Sequence, residues 1–374
     1  MSKIKFGIDM SIFKDTKSWK SYKEFIEAIN EDIWDGIWVG DHLGGLPPSF
    51  SFQNYNVWAL FPVYAEMKSK AELGLAVTDP HRYLPQIVAQ ICVTIDHISN
   101  GRFIYGIGPG EAFNLDNYGI EKNKPVSKME EYIEVLRKLW KSNGDRVSFS
   151  GDFYKFQEAI LQPSPLKGNI PVWVAANGSR TRKLTGRIGD GWLPYSFNSK
   201  IYKIEMEEVK IGLSKSKRKL EDFTFGYWNF IYIDDDENTL AELTAGRKRS
   251  LAIYSPYHLK TLGYWNEEMQ ELYQKLGYNP ETSPLPKLSS YDNYDFDIIN
   301  QIVKDIPDSF IRDSSLIGPK EEIIAKLENL IKAGVQYFVL MISNPLEDKN
   351  SKYNWEYANQ LMCEEIIPYL KENY

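Results

Sequence analysis

The sequence predicts an α/β fold: a (β/α)8 TIM barrel with insertions, the longest before the last strand. Three observations predict it. Eight short apolar runs recur along the 374 residues. Several of these runs are continuous rather than alternating, the mark of parallel strands buried on both faces. Amphipathic stretches at helical spacing lie between them, and strand alternating with helix along a chain implies a parallel sheet covered by helices. By typical domain size the length would suggest two or three domains. Barrels use such a length as one, so a single domain over residues 1–374 is expected.

The strands are expected at 5–9 (KFGID), 36–40 (GIWVG), 72–78 (ELGLAVT), 103–108 (FIYGIG), 171–175 (PVWVA), 191–195 (GWLPY), 223–233 (FTFGYWNFIYI) and 336–342 (QYFVLMI). Helical spacing of apolar residues marks 22–29, 84–98, 128–141, 202–213, 320–333 and 355–370. Leu84-Pro85 reads as a helix start, because proline is tolerated in the first turn. Gly334 after Ala333 suits the end of a helix just before the last strand. From 234 to 307 the rhythm breaks. That stretch has no clear strand, is rich in Tyr, Pro and Asn, and is expected to be a lid with helices of its own or a partly mobile loop.

Composition narrows the function classes. At 43% hydrophobic and 25% charged residues, the chain has apolar material for a large core. With 24 Tyr and 10 Trp, many aromatic side chains are expected to line a cavity or an interface as well as the core. The net charge of −7 argues against nucleic acid, which would need a basic face. The two cysteines, Cys92 and Cys363, lie far apart in apolar contexts and read as reduced core thiols, with no metal site. The N-terminal stretch is too short and polar for a signal peptide, and no apolar run has the ~20 residues of a membrane span. A cytoplasmic protein acting on a small molecule is expected.

In a barrel, functional groups gather where strands end at the C-terminal face. After the second strand stand Gly40, Asp41 and His42, followed by the loop GGLPP. A carboxylate beside an imidazole can orient a cofactor and move a proton; a surface Asp next to a packed His has the same sequence. After the third strand come Asp79, Pro80, His81, Arg82 and Tyr83, where Arg82 is either an anion contact or a cap or surface group. After the fourth, Gly106, Gly108 and Gly110 let the backbone approach a ligand, with Glu111 at the tip and Asn114 beyond. After the fifth, Asn177-Gly178 is a tight turn, Ser179 can cap the next helix, and Arg180 stands beside its N-terminus, a ready phosphate site.

These pieces together resemble the luciferase-like superfamily, and within it the branch that uses the deazaflavin coenzyme F420. The stretches GDH, LGLAVTDPHRYLPQIVAQ, GRFIYGIGPGEAFN and PVWVAANGSRTRKLTGRIGDGW carry the resemblance. It implies Asp41 at the deazaflavin ring, with His42 and Glu111 as an acid–base pair near the reacting carbon. It implies Asp79, Pro109, Gly110 and Asn114 around the cofactor, and Asn177, Gly178, Arg180 and Thr181 at its phosphate. A non-proline cis peptide, frequent in the family's third strand, would fall between Ala76 and Val77 and back the ring. Tyr195 and Asn198, assigned to substrate binding, stand where the family's sugar-phosphate dehydrogenase has a small polar residue and a lysine, so glucose 6-phosphate is not the expected substrate; the Tyr- and Trp-rich insertion points to a larger or more apolar one. A homodimer is also implied.

The expected function is hydride transfer between F420 and an organic carbonyl, alcohol or pterin-like substrate. An FMN-dependent monooxygenase of the same fold is the alternative, and a flavin-binding barrel without turnover is a second one.

Overall fold

The computed structural model describes residues 4–11, 18–43, 55–254, 259, 263–276, 295–344 and 353–374. Its strands are β1 (Lys5–Asp9), β2 (Gly36–Val39), β3 (Glu72–Leu75), β4 (Phe103–Ile107), β5 (Val147–Ser150), β6 (Lys155–Ala159), β7 (Val172–Val174), β8 (Gly191–Trp192), β9 (Thr224–Ile233), β10 (Leu316–Gly318) and β11 (Tyr337–Ile342). The order β9-β11-β1-β2-β3-β4-β7-β8 closes on itself through the β8–β9 pairing. All of these pairings are parallel, so the eight strands form the expected (β/α)8 barrel.

Side-chain alternation explains how the barrel is filled. Phe6, Ile8, Ile37, Val39, Leu73 and Leu75 point outward into the core shared with the helices. Inward stand Trp38, Ile104, Trp173, Leu193, Tyr337 and Val339, a separate apolar cluster. The large inward rings fit because small residues oppose them. A Cβ on Gly74 would meet the Trp38 ring at 2.2 Å, and one on Gly191 would meet Trp173 at 2.6 Å. A packed barrel floor follows, and the open end lies at the strands' C-termini.

Several elements differ from the sequence reading, each for a physical reason. The hairpin β5–β6 and the short β10 escape the pattern because β5 and β6 are half-exposed and polar, and β10 has only three residues. The sixth barrel strand stops at Trp192, since Pro194 has no N–H for the ladder; Tyr195 touches β9 only through a bridge to Trp228. The β3 ladder ends at Leu75, and Thr78 rejoins β4 at Ile107. The helix Val57–Met67 was not expected, because it is apolar all round and carries Pro62. The stretch 234–307 contains the helices Glu237–Tyr254, Glu267–Lys275 and Phe296–Val303, which share an apolar cluster with Phe197, Ile306 and Ile311. The loop GGLPP and most of the Pro- and Tyr-rich part of that stretch lie outside the described residues.

Candidate active site

Two arcs form the barrel mouth. One runs from β2 through β3 and β4 to β7, and it carries most of the residues singled out in the sequence. Asp41 follows the end of β2 and is buried. Thr78 Oγ1 donates to its Oδ2 at 2.6 Å, and Arg82 Nη2 lies 3.1 Å from the same oxygen. Arg82 also donates from Nε to Asp79 Oδ2 at 2.6 Å and from Nη2 to the Asp41 carbonyl at 2.6 Å. Arg82 is therefore neither a free anion contact nor a surface group: it is the shared counter-ion of two buried carboxylates. Burial raises the pKa of Asp41, and Arg82 and Thr78 pull it back in part.

The peptide Ala76–Val77 is cis, at the position the resemblance implies. It lies beside β4, where Gly106 has no room for a side chain: a Cβ there would meet the Leu75 carbonyl oxygen at 1.7 Å. Gly110 takes φ +95° and is packed by His81, Leu115 and Asp79. His81 Nε2 donates to the Pro109 carbonyl at 3.2 Å.

His42 and Glu111 come together over this arc, with Nδ1 3.8 Å from Oε2. Asn114 organises them rather than merely bordering the site. Its Nδ2 donates to His42 Nδ1 at 3.0 Å and to Glu111 Oε2 at 3.4 Å, while its Oδ1 accepts from the Leu43 N–H at 3.0 Å. An amide donating to Nδ1 leaves the ring proton on Nε2. Gly40 makes space for that ring, since a Cβ there would lie 2.7 Å from Nε2. Burial, aided by Arg82, lowers the His42 pKa to about 4, so the ring is neutral near pH 7. Burial pushes Glu111 up to about 7, with Lys122 and Arg82 opposing. The Glu111 side chain keeps 53% of its surface open, so water in the open mouth weakens that shift and a ligand filling the mouth strengthens it.

Beyond β7, Gly178 is the N-cap of the helix Ser179–Ile188, and no side chain caps it. This corrects the expectation for Ser179, whose hydroxyl donates to Glu208 instead. Thr181 Oγ1 donates to the Gly178 carbonyl at 2.9 Å, and the first backbone bond of the helix comes from Arg182. The first-turn N–H groups thus have no capping side chain, which suits an anion. Arg180 is exposed and donates to Ser127 at 3.0 Å. Asn177 Oδ1 accepts from the Tyr195 N–H at 3.1 Å and ties β7 to the end of β8.

The second arc, from β8 through β9 and β11 to β1, holds aromatic rings and one acid that sequence reasoning missed. Asp9 ends β1, is buried, and accepts from Trp228 Nε1 at 2.5 Å and from the Ser11 N–H at 2.8 Å. Burial raises its pKa to about 6 despite those bonds. The signal available was its place as the last residue of a barrel strand. Tyr195 stands beside Trp228 with ring centroids 5.7 Å apart. Asn198 lies further out, where it caps the helix Ser199–Lys215 and donates to Ser314 at 3.2 Å.

Residues 4–337 match the model of the family described as luciferase-like monooxygenase. The chain belongs to that family. Among its relatives, the 5,10-methylenetetrahydromethanopterin reductase of Archaeoglobus fulgidus is 25% identical over 98% of this chain and 100% of that protein. A phthiodiolone/phenolphthiodiolone dimycocerosates ketoreductase of Mycobacterium tuberculosis is 36% identical over 43% of this chain and 47% of its own. An F420-dependent secondary alcohol dehydrogenase, solved in complex with an F420-acetone adduct, superposes with a TM-score of 0.73 at 20% identity, covering 98% of this chain and 99% of its own. For this member of the luciferase-like family, that likeness establishes the shared barrel. Its relatives are enzymes, so the oxidoreductase character of the family applies to this chain. Among the described residues no helix is long and apolar enough to cross a membrane, and no cluster of three or more His, Cys, Asp or Glu could hold a metal.

Proposed function

We propose that the chain is an F420-dependent oxidoreductase that transfers hydride between the deazaflavin and an organic carbonyl, alcohol or pterin-like substrate. The observation that carries this reading is the β2–β7 arc, where Asp41, the Ala76–Val77 peptide, the His42–Asn114–Glu111 triplet and an uncapped helix N-terminus lie along one side of one mouth. These groups fit the coenzyme on two counts. The first-turn N–H groups after Gly178 suit its phosphate, and Arg82 Nη1 and His81 Nδ1 are buried nitrogens without a partner beside Asp41 and Gly110. Asp41, Ala76, Val77, Asp79, Pro109 and Gly110 would border the ring, and Asn177, Gly178, Arg180 and Thr181 the phosphate.

When bound, the deazaflavin supplies a carbon that gives or takes hydride as an electron pair. The protein holds the substrate carbon against it, excludes water and manages one proton. Glu111, whose carboxyl burial pushes up to about 7 once a ligand fills the mouth, is the group suited to give or take that proton at the substrate oxygen or nitrogen. His42, neutral with its proton on Nε2, donates a hydrogen bond and fixes the geometry. Asp9 is a second buried acid on the facing arc, and Tyr195 and Asn198 would border the substrate.

We further read residues 1–374 as one domain with 234–307 as its lid, acting as a cytoplasmic homodimer on a small molecule, without nucleic acid or membrane. Titrating the apoprotein separately with F420 and FMN tests the cofactor reading. Tighter binding of F420 is expected. Tight FMN binding with none of F420 would replace this reading by the monooxygenase one.

A further inference from the structure

Arg247 is a half-buried cation whose surroundings differ from those of most others in this chain; Lys68 and Arg102, which also lack a carboxylate partner, are instead satisfied by backbone carbonyls. Arg82, Arg137, Arg182, Arg218 and Arg312 each face at least one carboxylate within ion-pair distance. Among the described residues, none stands within that distance of Arg247. The helix Glu237–Tyr254 carries it over the second arc of the mouth. There its guanidinium lies 5.0 Å from the Tyr195 ring centroid and 5.3 Å from that of Phe230. Its Nη2 donates to Asn229 Oδ1 at 2.9 Å. Asn229 is itself fixed, donating to the Ser196 carbonyl at 3.0 Å and to the Tyr227 hydroxyl at 2.7 Å. The arginine is thus held in place by neutral groups while its charge goes uncompensated.

The same rings lead to the buried acid. Phe230 lies 4.9 Å from Trp228, whose Nε1 donates to Asp9. An indole therefore separates the buried Asp9 carboxyl from a pre-oriented guanidinium, with Tyr195 and Phe230 as apolar walls. A planar fork of N–H donors over aromatic faces is suited to a carboxylate or phosphate on a ring-bearing molecule.

We propose that Arg247 anchors an oxyanion of the substrate, and that the substrate is a ring-bearing carboxylate or phosphate ester. This rests on the reading of the mouth as the catalytic site. Arg247 sets specificity and touches the substrate remote from the reacting carbon.

The test is calorimetric titration of the full-length protein, with and without F420, using 3-phenylpropionate, phenyl phosphate and the uncharged 3-phenylpropanamide. At least one anion is expected to bind about tenfold or more tightly than the amide, as a charge-assisted bond allows. The stronger of the two identifies carboxylate or phosphate as the group. Arg247→Gln should erase the preference and leave the affinity for the amide unchanged, and Arg247→Lys should keep part of it. Thermal unfolding of each variant verifies that it is folded. Equal binding of anions and amide, no binding of any probe, or a preference that survives in a folded Arg247→Gln overturns the proposal. The arm without F420 reads Arg247 alone, so failure of F420 to bind is distinguishable from failure of the anchor.

Discussion

Replacing Glu111 by Gln is expected to lower kcat by about 10²–10⁴-fold, the usual contribution of a positioned acid or base, while the affinity for F420 stays close to that of the native enzyme. His42→Ala should fall in the same direction with less effect on the pH profile, because His42 titrates at about 4 and stays neutral through the working range. Glu111 sets the profile. Its pKa is raised to about 7, so it is protonated below that pH and ionised above it. When the substrate must receive a proton, the rate is therefore flat below about 7 and declines above; in the reverse direction the rate rises towards 7 and then levels. The limb disappears in Glu111→Gln. Steady-state rates from pH 5 to about 9 check this, the ordinary carboxylate value lying near the lower end. A Glu111→Gln enzyme with undiminished kcat would remove the proposed proton role. The same titration couples to folding. A carboxyl raised from 4.5 towards about 7 contributes stability that is present below the ordinary value and is lost as pH rises, over a narrower window in the open, half-exposed mouth than with a ligand filling it. Asp9, raised to about 6, adds to the loss over the lower part of that window.

The largest effect on stability is expected at Arg82. Its side chain is 3% exposed, and it neutralises both Asp41 and Asp79. Arg82→Met would leave two carboxylates buried without a cation, which typically costs about 3–5 kcal/mol. Urea unfolding of the native and variant proteins measures the difference. A loss below about 1 kcal/mol would mean that water or another cation reaches these carboxylates, since a pair of that worth is characteristic of exposed sites. Lowering the pH should relieve part of the deficit in the variant, because protonation removes the unpaired charges.

The strands were legible in the sequence because a barrel buries both faces of each one, which leaves continuous apolar runs such as FIYGI and YFVLMI. The half-exposed hairpin β5–β6 carries no such run. The β2–β7 arc was legible because Asp41, Glu111 and Asn177 each stand within four residues of a strand end, and chain position alone placed them at the mouth. The roles of Arg82 and Asn114 were not. A residue's partner across the barrel depends on which strands close together, so the Asp41–Arg82 pair and the Asn114–His42 bond cannot be read from local pattern. Asp9 was hidden as one letter in an apolar run. Arg247 was hidden in a helix of low amphipathicity, whose charges read as solvated until the fold set it over Tyr195 and Phe230.

The central claim is that the β2–β7 arc holds a deazaflavin. The most direct test is a crystal structure of the protein with F420. The expected density places the ring against the Ala76–Val77 peptide, between Asp41 and Glu111, with the phosphate at the first-turn N–H groups after Gly178. A coenzyme bound elsewhere, or its phosphate away from that helix, would contradict the claim.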